Sequence, residues 1–154
     1  MPWTNDNLDT LITKARQLLL KEFPDVFTAQ VYICTQSEMI DRIKKEITRE
    51  EFKGEVKRYL ARFVIGKYFA PGHVIWLVEG KGETLPTLLH ELLHSIQRCG
   101  PHRENIVNYV VYKILNRPDL IDHRIREEWE EIEKSVGFKE IKKRFRSEGD
   151  CEDF

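Results

Sequence analysis

Two histidines and a glutamate within five residues carry the most reactive grouping of side chains in this sequence. The segment reads His90-Glu91-Leu92-Leu93-His94, which is the pattern HExxH. Residues four apart lie one turn along the same face of a helix, so both imidazoles can reach a single ion. Neutral imidazole is a common ligand of zinc, and two imidazoles leave room for a third protein ligand and a water molecule. The pattern therefore predicts a Zn²⁺ site at His90 and His94.

Glu91 directly follows the first histidine, so it borders the helix face that carries both imidazoles. A zinc ion lowers the pKa of a bound water molecule to about 7, which allows a neighbouring carboxylate to take up a proton at neutral pH. We therefore expect Glu91 to be a catalytic residue that acts as a general base and later as a proton shuttle.

A third zinc ligand must come from outside the motif, because two imidazoles do not complete the coordination of the ion. Cys99, His102 and Glu104 follow the motif closely, and His123 lies further along the chain. Glu104 stands at the start of the next predicted helix, where the helix dipole favours an acidic side chain even without a metal. The spacing alone leaves these four residues open as third ligand.

The segment from His90 to Asn108 resembles the metal site of gluzincin-type zinc peptidases, in which a glutamate from a second helix completes a His₂Glu set of ligands. This resemblance implies that Glu104 is the third ligand, with Cys99 and His102 as the open alternatives. It also implies that Asn108 hydrogen-bonds a zinc-bound imidazole, where thermolysin-like enzymes have an aspartate. The size of the chain and the order of its elements resemble the minigluzincins, which are small soluble peptidases.

A peptidase site of this kind also needs a hydrogen-bond donor for the oxyanion of the tetrahedral intermediate. Thermolysin-like enzymes place a tyrosine between the motif and the ligand glutamate, and this chain has none there. Tyr109, Tyr112, His123 and Arg124 are the candidates further along. Tyr112 lies two turns beyond Glu104 on nearly the same helix face, so we expect Tyr112 to be the second catalytic residue.

Several elements must position these side chains. Apolar residues at helical spacing predict a helix from about Leu85 to about Arg98, and Thr84 followed by Pro86 is a typical helix start. The other predicted elements are a helix at 7–22, a strand at 26–34, a helix capped by Ser37, strands at 61–69 and 73–79 joined by a tight turn at 70–72, a helix from 102 to before 118, and helical segments after it.

These elements predict an α+β fold. The resemblance implies one zincin-like domain over residues 1–154, with a small, mostly antiparallel sheet packed on the motif helix and on the helix of the ligand glutamate. We expect the strand at 73–79, the last before the motif helix, to pair with extended substrate. Residues 147–154 are acidic, and we predict that they form a flexible tail.

Composition limits the partners and the compartment. The 25 basic and 26 acidic residues give a net charge of −1, which provides no electrostatic reason for binding nucleic acid. Apolar runs such as Val74–Val78 are far shorter than the roughly 20 residues that cross a bilayer, and the first residues do not resemble a signal peptide. Three widely spaced cysteines, Cys34, Cys99 and Cys151, fit free thiols, so we predict a cytoplasmic protein without a membrane partner.

The sequence thus predicts a zinc-dependent metallopeptidase that hydrolyses a peptide or protein substrate by metal-activated water. Side-chain preference and oligomeric state are not predicted. The alternative is a non-catalytic zinc-binding protein, structural or regulatory, whose site is closed by a further ligand such as Cys99, His102 or Cys151. A related alternative is a latent peptidase, in which the acidic tail occupies the open position of the zinc ion.

Overall fold

The structure is a computed structural model, and it describes residues 5–24, 29–46, 64–69, 72–97 and 103–147. These residues form six α-helices, three β-strands and one short 3-10 helix, which confirms the predicted α+β class. The elements in chain order are α1 (Asn5–Glu22), β1 (Gln30–Cys34), α2 (Gln36–Glu46), β2 (Gly66–Phe69), β3 (Val74–Val78), α3 (Leu85–Ile96), α4 (Arg103–Leu115), the 3-10 helix (Pro118–Leu120), α5 (His123–Val136) and α6 (Phe138–Ser147).

The sheet is mixed, whereas the sequence predicted a mostly antiparallel one. Its strand order is β1-β3-β2, with β1 parallel and β2 antiparallel to β3. Tyr32 and Lys67 lie on either side of Trp76 in this register. The connection between β1 and β3, residues 35–73, includes α2 and β2 and is long enough for parallel pairing, since parallel neighbours need a crossover of a dozen or more residues.

The position of β3 corrects a second prediction. We expected the strand at 73–79 to pair with substrate, but β3 is the central strand and is hydrogen-bonded on both sides. Its edges are therefore occupied by β1 and β2. Among the described residues, β2 has no strand partner on its other side.

The motif helix α3 begins where its sequence predicts. Thr84 is its N-cap and accepts a hydrogen bond from the backbone N–H of Thr87, with Pro86 in the first turn. The helix ends at Ile96, and the predicted end at Arg98 lies outside the described residues.

Four leucines hold α3 in the core. Leu88, Leu89, Leu92 and Leu93 are fully buried. Replacing a buried leucine by alanine typically costs about 2–5 kcal/mol, so these four contacts strongly resist rotation of the helix. The rotation of α3 about its axis, and hence the direction of its two histidines, is set by the core.

The start of α2 differs from the prediction. The helix begins at Gln36, so Ser37 lies inside it, and Thr35 provides the cap. The side chain of Thr35 accepts from the N–H of Glu38, whose carboxylate accepts from the N–H of Thr35. This reciprocal pair is a capping box, and it satisfies two backbone donors at once.

Two apolar clusters pack on the sheet. The main core joins Ile75 and Leu77 to α1, α3, α4, α5 and α6, and a smaller cluster contains Cys34, Met39, Ile43, Phe69 and Val78. Cys34 is a buried free thiol, while Cys99 and Cys151 lie outside the described residues. The predicted tail also lies outside them, apart from Ser147. Within the described part of the chain, no helix combines the length and apolar character needed to cross a membrane.

Candidate metal centre

His90, His94 and Glu104 meet at one point of the structure. The two histidines project from α3, and Glu104 comes from the first turn of α4. Nε2 of His90 lies 3.1 Å from Nε2 of His94. The carboxylate of Glu104 lies 3.2 Å from Nε2 of His90 and 2.8 Å from Nε2 of His94. The structure therefore brings together the three residues that the sequence predicts as zinc ligands.

The separation of the two imidazole nitrogens fits tetrahedral coordination. Two nitrogens at 2.0–2.1 Å from a tetrahedral zinc ion lie about 3.3 Å apart. The observed 3.1 Å is close to that distance. One ligand atom from each of the three side chains lies within 4.8 Å of the others, and in the described part of the chain these residues form the only such group of His, Cys, Asp or Glu.

Each histidine also has a hydrogen-bond partner outside the cluster. Nδ1 of His94 lies 3.1 Å from Oε1 of Gln97, an acceptor, so a neutral His94 that donates from Nδ1 would present the lone pair of Nε2 to an ion. The side chain of Asn108 hydrogen-bonds His90 and raises the pKa of that imidazole, as an accepting amide oxygen does. The contact predicted for Asn108 is thus present, and Gln97 is a partner that the sequence analysis missed.

The electrostatics of the cluster favour a cation. Burial alone would lower the pKa of His90, but the hydrogen bond to Glu104 and the neighbouring carboxylates outweigh it, so the pKa is raised. Hydrogen bonds from His90 and His94 hold the pKa of Glu104 well below its ordinary value. Three acceptor atoms at these distances repel one another unless a proton or a metal ion lies between them. The donor set therefore fits a divalent metal, and its nitrogen and oxygen ligands are ones that zinc accepts.

Glu91 lies beside this cluster and is buried. It is 8% exposed, and its Oε2 accepts a 3.0 Å hydrogen bond from the backbone N–H of Tyr68 in β2. Burial raises the pKa of Glu91, while the charges of His90, His94 and Lys67 lower it by smaller amounts. A carboxyl group with a raised pKa is better matched to proton transfer near neutral pH than an exposed glutamate.

Strand β2 approaches α3 closely because residue 66 is a glycine. A Cβ atom at Gly66 would lie 3.0 Å from Cδ2 of Leu77 and 3.1 Å from Cγ2 of Thr87. It would also lie 3.6 Å from Cγ of Glu91. The missing side chain lets the strand lie directly against the motif helix, so the edge of β2 borders the cluster.

Two cavities flank the cluster. The first has a volume of about 420 Å³, and the second has a volume of about 410 Å³. Both are bordered by Val64, Gly66, Glu91 and Glu104, which places the cluster where the two meet. The first is otherwise lined by Lys67, Tyr68 and His94, and the second by Ile65, Pro86, Thr87, His90, Asn108, Val111 and Leu120. Because they share these four residues, the two cavities form one cleft that borders the cluster on both sides.

The structure does not bring Tyr112 to the cluster. Its hydroxyl donates to Oε1 of Glu130 in α5 at 3.3 Å, its ring packs against the main core, and it lines neither cavity. The other downstream candidates are also elsewhere. The hydroxyl of buried Tyr109 donates to Glu133, while His123 and Arg124 are exposed at the start of α5.

Lys67 and Tyr68 line the cleft, and the sequence analysis did not identify them as site residues. The sequence placed both residues in a predicted strand before the motif, but it did not show the strand order that makes β2 an edge strand. Cys99 and His102, the alternative ligands, lie outside the described residues. No protein-family profile, curated protein or solved structure matches this chain.

Proposed function

We propose that this protein is a zinc-dependent metallopeptidase of gluzincin type with a zincin-like arrangement of its site. The observation that carries the proposal is the meeting of His90, His94 and Glu104 beside the buried carboxylate of Glu91. Three protein ligands leave a position of the ion open, which is the pattern of catalytic rather than structural zinc sites. The cleft on both sides of the cluster gives access to that position.

His90, His94 and Glu104 would hold the zinc ion, with Asn108 and Gln97 fixing the orientation of the two imidazoles. When bound, zinc supplies Lewis-acid polarisation of a peptide carbonyl and of the attacking water. Glu91 accepts the proton of that water, and its raised pKa suits it to hold the proton and deliver it to the leaving amine. The hydrogen bond from Tyr68 keeps this carboxylate at the wall of the cleft.

The substrate in this proposal is a peptide in extended conformation. In the described part of the chain, β2 pairs with β3 on one side, and on the other side the N–H of Tyr68 is directed at Glu91. A peptide that pairs with the other backbone groups of this edge passes the cluster, and β-strand addition of this kind is a common mode of peptide recognition. This assigns to β2 the role that the sequence analysis gave to the following strand.

The test begins with elemental analysis of zinc in the purified protein after extensive dialysis, and we expect about one zinc per chain. Hydrolysis of fluorescein-labelled casein is then compared between the wild type and Glu91→Gln. Loss of a general base typically costs about 10²–10⁴-fold in rate, while the zinc content should not change. Glu128→Gln, the same change on the exposed face of α5, is the matched control.

Two results would contradict the proposal. If the dialysed protein holds no zinc after incubation with Zn²⁺, the cluster is not a zinc site. If Glu91→Gln cleaves casein as fast as the wild type and the control Glu128→Gln, the hydrolysis does not come from this cleft.

A further inference from the structure

The helix that carries Glu104 is tied to the helix after it by a ladder of hydrogen bonds that lies outside the metal centre. We infer that Tyr109 and Tyr112 are positioning residues, which hold α4 in the rotation that brings Glu104 to the two histidines of α3. The inference rests on the zinc centre of the proposed function, but not on its peptidase activity. It also gives Tyr112 a role other than the catalytic one that the sequence predicted.

The ladder joins α4 to two carboxylates of α5 that are three residues apart. The hydroxyl of Tyr109 donates to Oε1 of Glu133 at 2.6 Å, and Nζ of Lys113 lies 3.1 Å from Oε2 of the same carboxylate. The hydroxyl of Tyr112 donates to Oε1 of Glu130 at 3.3 Å. Residues three and four apart share one face of a helix, so these bonds leave α4 from one face and meet one face of α5. Together they fix both the rotation and the axial position of α4.

The bond between Tyr109 and Glu133 is the stronger part of this ladder. Tyr109 is fully buried, and its ring stacks on Trp129 of α5 with 6.1 Å between the ring centres. Burial and the carboxylate of Glu133 raise the pKa of Tyr109, so the hydroxyl keeps its proton and remains a donor. A short hydrogen bond to an ionised carboxylate is roughly twice as strong as one between neutral groups. The bond therefore resists a change in the direction of the Tyr109 side chain.

Apolar packing defines the rotation of α4 less sharply. At 100° per residue its buried side chains are spread over an arc of about 200°, which is more than half of the circumference. These side chains are Ile106, Val107, Tyr109, Val110 and Val111. Burial of apolar surface is non-directional, so a helix that is buried over such an arc can rotate by a small angle with little loss of apolar contact. The directional bonds of the ladder supply the constraint that burial alone does not.

The metal centre requires such a constraint. Side chains of a helix end about 5–6 Å from its axis, so a rotation of about 20° would move the carboxylate of Glu104 by about 2 Å. In the structure this carboxylate lies 2.8 Å from Nε2 of His94 and 3.2 Å from Nε2 of His90. Ligand distances in a metal site hold to within about 0.2 Å. A rotation of α4 that the core tolerates would therefore take Glu104 out of reach of an ion shared with the histidines.

Zinc affinity, measured by competition with a chromophoric chelator, and unfolding in urea test this role together. In Tyr109→Phe we expect about ten-fold weaker zinc binding, the lower end of the range for loss of an outer partner of a metal ligand. Tyr112→Phe loses the longer bond and should weaken zinc binding only about two- to three-fold. Glu133→Gln keeps an acceptor oxygen for Tyr109 and should bind zinc within about two-fold of the wild type. Tyr32→Phe, at an exposed tyrosine of β1, is the matched control.

A double variant separates positioning from stability. Tyr109→Phe/Glu133→Met replaces both partners of the bond by apolar side chains, which leaves stability nearly unchanged when shape is kept. We expect its midpoint in urea to return to that of the wild type, while its zinc affinity stays about ten-fold lower because no directional bond remains. If Tyr109→Phe does not fold, the zinc affinity of the double variant decides the test.

Three results would overturn the inference. The first is a zinc affinity of Tyr109→Phe equal to that of the wild type and of Tyr32→Phe. The second is a zinc affinity of the double variant that recovers together with its stability, because the bond would then be merely structural. The third is a wild-type protein that binds no zinc, which would overturn the proposed function as well. Zinc binding that depends on Tyr109, in a protein that cleaves no casein, contradicts the proposed function alone.

Discussion

The backbone N–H of Tyr68 donates a 3.0 Å hydrogen bond to Oε2 of Glu91, which joins the edge strand β2 to the motif helix α3. The bond fixes one oxygen of a buried carboxylate that borders the same two cavities as Glu104. It also occupies the N–H of Tyr68, so a peptide that pairs with the other backbone groups of this edge of β2 lies beside Glu91. The positions of the proposed general base and of the proposed peptide substrate therefore depend on the same strand.

Removal of Glu104 should greatly weaken zinc binding. Its carboxylate lies within 3.2 Å of both imidazole nitrogens, so Glu104→Ala removes the proposed third ligand and a negative charge. Loss of an outer hydrogen-bond partner typically costs 10–100-fold in metal affinity, and we expect loss of this ligand to exceed about 100-fold. Competition with a chromophoric zinc chelator measures the affinity, and Glu128→Ala is the matched control. Unchanged affinity would exclude Glu104 as the third ligand and with it the gluzincin assignment.

Replacement of Asn108 should weaken zinc binding less than removal of Glu104 does, and the effect should depend on the residue introduced. Asn108→Ala removes the partner that orients His90, and we expect zinc affinity to fall about 10–100-fold. Asn108→Asp restores an acceptor and adds a charge, so its affinity should equal or exceed that of the wild type. The same chelator competition compares the three proteins. If Asn108→Ala and Asn108→Asp weaken zinc binding equally, orientation of the imidazole by residue 108 does not contribute to zinc affinity.

Zinc affinity should decrease in acid, and the sign follows from His90. The pKa of His90 is raised above 6.5 in the folded protein. Without metal, the pair of protonated His90 and Glu104 therefore stabilises the fold below pH 6.5. This contribution to stability is lost as the pH rises through the pKa of His90 in the folded protein. Zinc requires the neutral imidazole, so its binding has the opposite dependence.

Titrations of zinc between pH 8 and 5.5 test this dependence. Below the pKa of His90 the apparent dissociation constant should rise about tenfold for each pH unit while one proton is displaced. Glu104 contributes little to the change in this range, because its pKa is held far below it. A zinc affinity that stays constant from pH 8 to 5.5 would show that zinc does not displace a proton from His90.

A methyl group at residue 66 should push β2 away from α3. In Gly66→Ala the new Cβ would be 3.0 Å from Leu77 and 3.1 Å from Thr87, and overpacking of this kind typically costs about 1–3 kcal/mol. We expect a lower free energy of unfolding in urea and slower casein hydrolysis, because the strand that holds Glu91 has moved.

Thr87→Ser provides the matched rescue. It removes the Cγ2 atom that Gly66→Ala would contact, while the hydroxyl can still accept from Thr84. The double variant should recover part of the lost stability and activity. If Thr87→Ser gives no recovery in the Gly66→Ala background, the close approach of β2 to α3 is not what the glycine is needed for.

The sequence alone determined the parts of this protein that depend on local spacing. The helix around the motif, its start at Thr84 and the four-residue interval between His90 and His94 all follow from interactions within one or two turns. The class of the fold also followed, because alternation and helical periodicity are local signals. The convergence of Glu104 on the two histidines was expected from a resemblance, and the structure brings these side chains within 3.2 Å.

Only the tertiary structure decided which strand borders the site and which side chains line it. The order β1-β3-β2 depends on a crossover between segments some forty residues apart, so no local pattern could show that β3 is central and β2 is the edge. The same holds for Lys67 and Tyr68, which line one of the two cavities because β2 lies against α3 at Gly66. Tyr112 shows the converse: it shares a helix with Glu104, but packing of α4 against α5 directs its hydroxyl to Glu130, away from the cluster.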